Sequence, residues 1–177
     1  TYGILKKKQG EKTEMLREYH LTKFADYAEY MADWISFSDI GGVFHGHTLT
    51  QAEYEITEKR FLDVIAFVFR HAKPVYAEGL EDAEHRCPFV CGAALCEEQD
   101  LRTVACGCLR GEYWCRLESD GAFVHFGGDY DLYIGCSHDA DALETFVTDL
   151  GLNLTEARSE YVPQRKKHSE PPVPAWF

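Results

Sequence analysis

Cysteine and histidine residues in the middle of the chain form the group with the clearest potential for chemistry. The 177 residues include seven cysteines, and one short stretch contains His85, Cys87, Cys91 and Cys96. A structural zinc site usually takes two tightly spaced cysteine pairs, whereas the spacing here is CxxxC followed by CxxxxC. A zinc-binding or thiol-dependent module spanning residues 85–108 is therefore the alternative interpretation of the function. The main interpretation requires no cofactor.

Two further groups have the residue types of a catalytic site. Cys115, His125 and Asp129 could supply a thiol nucleophile, a base and an orienting carboxylate. Alternation along strands, however, places Cys115 and His125 on opposite faces of a sheet. Asp129 and Asp131 could be the paired carboxylates of a hydrolase, but two acids near a turn are more often solvated. Since the sequence also lacks a glycine-rich phosphate loop, we predict that the protein is not an enzyme.

An antiparallel meander has to position most of these side chains. Runs of β-forming residues separated by glycine-containing turns predict four strands, at 101–109, 112–118, 122–127 and 130–136. Side chains alternate between the two faces of a strand. We assign one face to the core, and it carries Tyr113, Cys115, Leu117, Val124, Phe126, Leu132, Ile134 and Cys136.

The opposite face of the meander is the predicted binding surface, unless a second layer of helices covers it. It combines acidic residues with the Trp, Tyr and Arg side chains that are enriched at binding hot spots. Asp131 is a poor strand residue, so it either faces water or pairs with Arg116. The predicted partner-binding residues are Trp114, Arg116, Glu118, Asp120, His125, Asp129, Tyr130, Asp131, Tyr133 and Tyr161.

Helices are predicted on both sides of the meander. Apolar residues recur at a helical period over 11–35, and Thr50 with Glu53 forms a capping box for a second helix that runs to about residue 71. A short helix over 140–150 begins at Asp139 and stops before Gly151. Between residues 77 and 100 only Pro88-Phe89-Val90 resembles a strand.

These elements predict an α+β fold. N-terminal helices pack on an antiparallel β-meander of four or more strands, with a short C-terminal helix. The domain spans residues 1–162, and residues 163–177 form a proline-rich basic tail. The length suits a single domain, and the oligomeric state is left open.

The charge distribution indicates the kind of partner. The formal net charge is −12, and residues 118–160 contain ten carboxylates against Arg158 alone. Such a surface repels nucleic acid and attracts basic proteins. An odd number of cysteines, mostly in apolar runs, indicates reduced thiols and a cytoplasmic location. Lys6-Lys7-Lys8 is followed by polar residues, so we expect neither a signal peptide nor a membrane span.

Residues 112–161 resemble bacterial immunity proteins of polymorphic toxin and contact-dependent inhibition systems. Those proteins share a W-C-K-L-E type strand, then F-G-Y-D-Y-Y-M-Y-I-G, then S-P-Y. Here the corresponding segments are WCRLE at 114–118, FGGDYDLYIG at 126–135 and SEY at 159–161. The resemblance implies a cytoplasmic protein that binds and neutralises one cognate toxin domain without catalysis of its own. The chain departs from the shared pattern at Gly128, Asp131, Leu132 and Glu160.

Overall fold

One antiparallel sheet organises the chain, with its helices packed on one side. The structure is a computed structural model and describes residues 15–128 and 130–161. The seven strands of the sheet lie in the order β5-β4-β6-β7-β8-β1-β9, and every neighbouring pair is antiparallel. Strands β2 and β3 form a separate hairpin. The elements are β1 Arg17–Thr22, α1 Tyr27–Ala32, a 3-10 turn Phe37–Asp39, β2 Val43–Phe44, β3 His47–Thr48, α2 Gln51–Val68, β4 Val75–Glu81, β5 Ala94–Leu95, α3 Glu98–Leu109, β6 Trp114–Ser119, β7 Ala122–Gly128, β8 Asp131–Cys136, α4 Ala140–Asp149 and β9 Asn153–Glu156.

The hydrophobic core lies between the helices and one face of this sheet. Each long strand contributes alternate residues to it, because successive side chains point to opposite faces. Helices α2, α3 and α4 place their apolar sides in the same cluster. Among its members are Tyr19, Leu21, Ala77, Cys115, Leu117, Val124, Ile134, Phe61, Ile65, Val104 and Leu143. The three longer helices therefore cover one face of the sheet and leave the other face to smaller elements.

Several predicted elements are confirmed. The meander is present as β6, β7 and β8, with Cys115, Leu117, Val124 and Ile134 on the core face. The capping box at the start of α2 is formed, since the Thr50 backbone N–H donates to the Glu53 carboxylate over 2.9 Å and the Glu53 N–H donates to the Thr50 hydroxyl over 3.3 Å.

The predicted helix over 11–35 is wrong for Arg17–Thr22, and of the described residues in this range only Tyr27–Ala32 are α-helical. Residues 11–14 lie outside the described residues, and Arg17–Thr22 is strand β1, followed by the short helix α1. Tyr19 and Leu21 are buried while His20 between them is half-buried. That alternation with a period of two is the pattern of a strand. The aromatic residues that follow β1 recur at a helical spacing, which led to the helix prediction.

The predicted strand over 101–109 is also wrong, because these residues lie in helix α3. Leu101, Val104 and Ala105 are buried at the i, i+3, i+4 spacing of an amphipathic helix. Strand β4, Val75–Glu81, takes the place beside β6. Most of it lies in residues 77–100, where the strand signal was weak, whereas Pro88-Phe89-Val90 is not a strand.

The α+β class is confirmed, with four α-helices among the described residues. The proline-rich segment 163–177 lies outside them. In the part of the chain that the structure covers, no helix has the length and apolar character needed to cross a bilayer.

Candidate functional site

The sheet face opposite the helices gathers most of the predicted binding residues, and we call it the polar face. Its central row runs across four strands, because Arg116 pairs with His125, His125 with Tyr133, and Tyr133 with His20 in the sheet register. The next row contains Glu118, Phe123, Gly135 and Glu18. The polar face comprises Glu18, His20, Glu78, Trp114, Arg116, Glu118, Phe123, His125, Asp131 and Tyr133.

Residues 157–161 cross this face after the last strand, and we call them the strap. The Ala157 N–H donates to the Glu18 carbonyl over 3.2 Å, and the Ser159 N–H donates to the Glu18 carboxylate over 3.1 Å. Further on, the Tyr161 ring packs on the Trp114 ring with 5.3 Å between centroids. The strap thus reaches from β1 across to β6.

A chain of hydrogen bonds joins the strap to the middle of the sheet. His125 Nδ1 lies 2.7 Å from the Ser159 hydroxyl, and His125 Nε2 lies 3.1 Å from the Glu118 carboxylate. Arg116 Nε donates to the same Glu118 oxygen over 3.0 Å. A neutral His125 ring that donates from Nε2 to Glu118 leaves Nδ1 to accept the hydroxyl proton of Ser159.

This hydroxyl, imidazole and carboxylate order also occurs in hydrolase triads, but the surroundings here oppose acyl transfer. Such chemistry requires donors that stabilise an oxyanion. The Ser159 N–H is instead taken up by the Glu18 carboxylate, and the Tyr161 N–H donates to the Ser159 hydroxyl over 3.1 Å. The arrangement is suited to holding the strap on the sheet.

A second pair of polar residues lies closer to solvent on β1 and β8. His20 Nε2 is 2.9 Å from the Asp131 carboxylate, and the His20 and Tyr133 rings are 5.4 Å apart. The Asp131 side chain is 39% exposed, so it partly faces water, as one of the two predicted alternatives required. Its partner is His20 rather than Arg116. Burial and the neighbouring Glu160 carboxylate raise the pKa of the Tyr133 hydroxyl.

The structure divides the predicted partner-binding residues into three groups. Asp129 lies outside the described residues, and Asp120 is exposed at the turn between β6 and β7. The remaining residues that reach the surface are half-buried on the polar face or the strap: Trp114, Arg116, Glu118, Asp131, Tyr133 and Tyr161.

Two predicted residues are not exposed, and for them the prediction of a solvent-facing position is wrong. Tyr130 is only 3% exposed, and its ring packs in the core 4.9 Å from the Phe61 ring. Its positive φ of 59° and the irregular register after Phe126 turn it toward the helices. His125 is 0% exposed because the strap and the Phe123 ring, stacked on it at 4.3 Å, cover it.

Sequence reasoning missed the contribution of Glu18, His20 and Ser159 to this site. The first two belong to β1, whose strand period had been assigned to a helix. Ser159 lies in the SEY segment that entered the sequence resemblance, but no local signal shows that it returns to the sheet. These three residues come together only through pairing between distant parts of the chain.

The cysteine-rich region does not have the arrangement that the zinc alternative requires. In residues 15–128 and 130–161, no group of three or more His, Cys, Asp or Glu side chains is placed to hold a metal ion. His85, Cys91 and Cys96 are exposed and Cys87 is half-buried. Burial raises the pKa of the Cys87 thiol, which lowers its thiolate content near neutral pH.

Comparisons with protein-family models, with curated proteins and with solved structures found no match for this chain. The chemistry and geometry of the polar face are therefore the basis for a functional assignment.

Proposed function

We propose that the protein is an immunity-type inhibitor that binds and neutralises a cognate toxin domain through the polar face and the strap. The observation that carries the proposal is the one-sided packing of the sheet. Helices α2, α3 and α4 share one core with one face, while the other face presents carboxylates among half-buried aromatic rings. Large aromatic side chains on a sheet face that none of these three helices covers favour binding of a protein partner.

The charge of this surface indicates a basic partner. The polar face and strap together carry five carboxylates and two guanidiniums, those of Arg116 and Arg158, which gives a formal charge of −3 when the histidines are neutral. Arg116 is itself paired with Glu118 over 3.0 Å. A field of this sign steers a basic protein toward the face and accelerates association. The carboxylates are Glu18, Glu78, Glu118, Asp131 and Glu160.

Aromatic side chains on the same face can slow the dissociation of a bound partner. The Trp114 indole N–H donates to the Phe126 carbonyl over 2.7 Å, and the Tyr161 ring lies against the Trp114 ring. These contacts hold the rings in position before a partner arrives. Such preorganisation reduces the entropy lost on binding.

The same surroundings favour inhibition over catalysis. The Ser159 and Tyr161 N–H groups donate to other acceptors and do not form an oxyanion site, and a binding role needs no such intermediate. A general adaptor would use the same face, but it would not bind one toxin domain tightly or protect a cell from it. Protection from a toxin therefore distinguishes the proposal from the adaptor alternative.

The test begins with capture of a partner from an extract of the source organism. The wild-type chain is compared with a Trp114→Ala, Asp131→Lys, Tyr133→Ala variant, and Asp149→Lys serves as a charge-matched control on helix α4. We expect the wild type and the control to retain a toxin domain that the triple variant loses. Co-expression must then protect cells from that domain. Capture without protection would reject the inhibitor role, and equal capture by all three proteins would reject the polar face as the site.

A further inference from the structure

Helix α1, Tyr27–Ala32, presents apolar side chains to solvent instead of burying them. None of its six residues is buried, and Tyr27 and Met31 are 75% and 65% exposed. These two residues are four apart, so they lie on the same side of the helix. Contiguous exposed apolar side chains, unlike single scattered ones, mark a candidate interaction site.

The helix is held in place by its ends rather than by a buried face. At its start, the Asp26 carboxylate accepts the Glu29 N–H over 2.9 Å, and the Glu29 carboxylate accepts the Ala25 N–H over 2.6 Å. At its end, the Asp33 N–H donates to the Glu29 carbonyl over 3.0 Å. The Tyr30 ring packs edge-on against the buried Phe24 ring at 5.2 Å. The exposed side chains of Tyr27 and Met31 are thus presented on a fixed support.

The sequence around α1 is strongly acidic. Residues 24–56 contain six carboxylates and neither lysine nor arginine. The nearest cation in sequence, Lys23, is withdrawn from solvent, because its ammonium pairs with Asp33 over 2.8 Å and lies 3.5 Å from the Trp34 ring centre. Burial lowers the pKa of this ammonium. The carboxylates are Asp26, Glu29, Asp33, Asp39, Glu53 and Glu55.

We propose that α1 is a second docking surface, for a basic amphipathic helix of a partner protein. Tyr27 and Met31 would contact the apolar side of that helix, and the Asp26 and Glu29 carboxylates at the start of α1 would meet its lysine or arginine side chains. Methionine suits such a site because its flexible thioether adapts to different partner side chains. The surface is independent of the polar face and of the toxin proposed to bind there.

The probe for this surface is a synthetic, fluorescein-labelled helix of about 18 residues, with leucine on one side and lysine on the other. Binding to the full chain is followed by fluorescence anisotropy. We expect a Tyr27→Ser, Met31→Ser variant to weaken binding at least about tenfold, since apolar anchors dominate binding at such contacts. An unchanged thermal unfolding midpoint is expected as well, because neither side chain is buried.

Two control variants locate the effect. Ile56→Ser, Val90→Ser removes exposed apolar side chains elsewhere, and Trp114→Ala, Tyr133→Ala alters the polar face. Both should bind the peptide within about twofold of the wild type. An equal or larger loss in either control would overturn the proposal.

Two control peptides separate apolar contact from charge attraction. A peptide with glutamate in place of lysine should not bind, and one with serine in place of leucine should bind at least about tenfold more weakly. If the serine peptide bound as tightly as the leucine peptide, charge attraction alone would explain binding and the proposal would be overturned. The proposal also fails if the peptide binds only after removal of residues 162–177, because those residues of the same chain would then occupy the surface.

Discussion

His125 Nδ1 lies 2.7 Å from the Ser159 hydroxyl, and this contact joins the centre of the sheet to the strap that crosses it. The imidazole is 0% exposed, so its two ring nitrogens depend on protein partners rather than water. Glu118 satisfies one nitrogen and Ser159 the other. The strap is therefore a structural part of the polar face and not merely a neighbour of it.

Ser159→Ala should loosen the strap and reduce stability. The substitution leaves His125 Nδ1 buried without its partner, which costs about 1–3 kcal/mol. Urea unfolding measures the loss, and hydrogen exchange should become faster at the amides of residues 157–161. Ser38→Ala, at an exposed serine, should change stability by less than about 0.5 kcal/mol. Unchanged exchange in Ser159→Ala would show that other contacts hold the strap.

Glu58→Ala should be among the most destabilising single substitutions. Glu58 is buried in α2 and receives two hydrogen bonds from the Arg110 guanidinium, over 2.6 and 2.7 Å. Removing one partner of a buried ion pair costs about 3–5 kcal/mol because the other charge loses its compensation. Denaturant unfolding gives the value.

The matched control for this pair is Glu98→Ala, which breaks the Glu98–Arg102 ion pair on the surface of α3, with 2.8 Å between Oε1 and Nε. Exposed pairs at this helical spacing contribute about 0.3–0.5 kcal/mol. A similar loss from both substitutions would mean that the Glu58 and Arg110 side chains are solvated.

Asp63 should make the stability of the protein depend on pH in the acidic range. Burial raises the pKa of its carboxyl, but hydrogen bonds from Lys59 and Arg102 outweigh burial and lower the pKa below its ordinary value. Because the pKa of Asp63 is lower in the folded protein, this stabilisation is fully present above the pKa of the unfolded state, about 4. It is lost as pH falls through the pKa of the folded state. Asp63→Asn should therefore differ most from the wild type near pH 7, and the difference should shrink as pH falls below the unfolded pKa of about 4.

Unfolding curves at several pH values test this expectation, with Asp149→Asn as the control at an exposed aspartate. The contribution should be about 1 kcal/mol or less, since the ion pairs of Asp63 are partly open to solvent. A difference between Asp63→Asn and the wild type that is constant from pH 7 to pH 3 would contradict the assignment.

The parts of this fold that sequence reasoning predicted are those with local signals. The Thr50 and Glu53 capping box, the turn at Gly121 and the helix stop at Gly151 each depend on a few adjacent residues. Gly121 and Gly151 do adopt positive φ angles, of 79° and 71°. These positions required no knowledge of the rest of the chain.

The missed parts depend on pairing between distant segments. Strand β1 lies between β8 and β9, more than 100 residues away in sequence. Its alternation covers only six residues, too few to outweigh the helical spacing of the aromatic residues that follow. Because β1 carries Glu18 and His20, its misassignment also hid the contacts of Glu18 with the strap and of His20 with Asp131.

Gly135→Ala should disturb the packing of side chains on the polar face. An added Cβ at Gly135 would lie 2.2 Å from the Phe123 ring, and that ring stacks on His125 at 4.3 Å. Moving Phe123 therefore displaces His125 from Ser159. Overpacking of this kind costs about 1–3 kcal/mol, and faster hydrogen exchange in residues 157–161 should accompany it.

A double-mutant cycle with Phe123→Ala identifies the cause. Removing the ring frees the space for the new methyl group, so Gly135→Ala should cost less in the Phe123→Ala background than in the wild type, by at least about 0.5 kcal/mol. Strictly additive losses would place the strain in the β8 backbone instead. In that case hydrogen exchange in the strap should remain at its wild-type rate, because the Phe123 and His125 rings would not have moved.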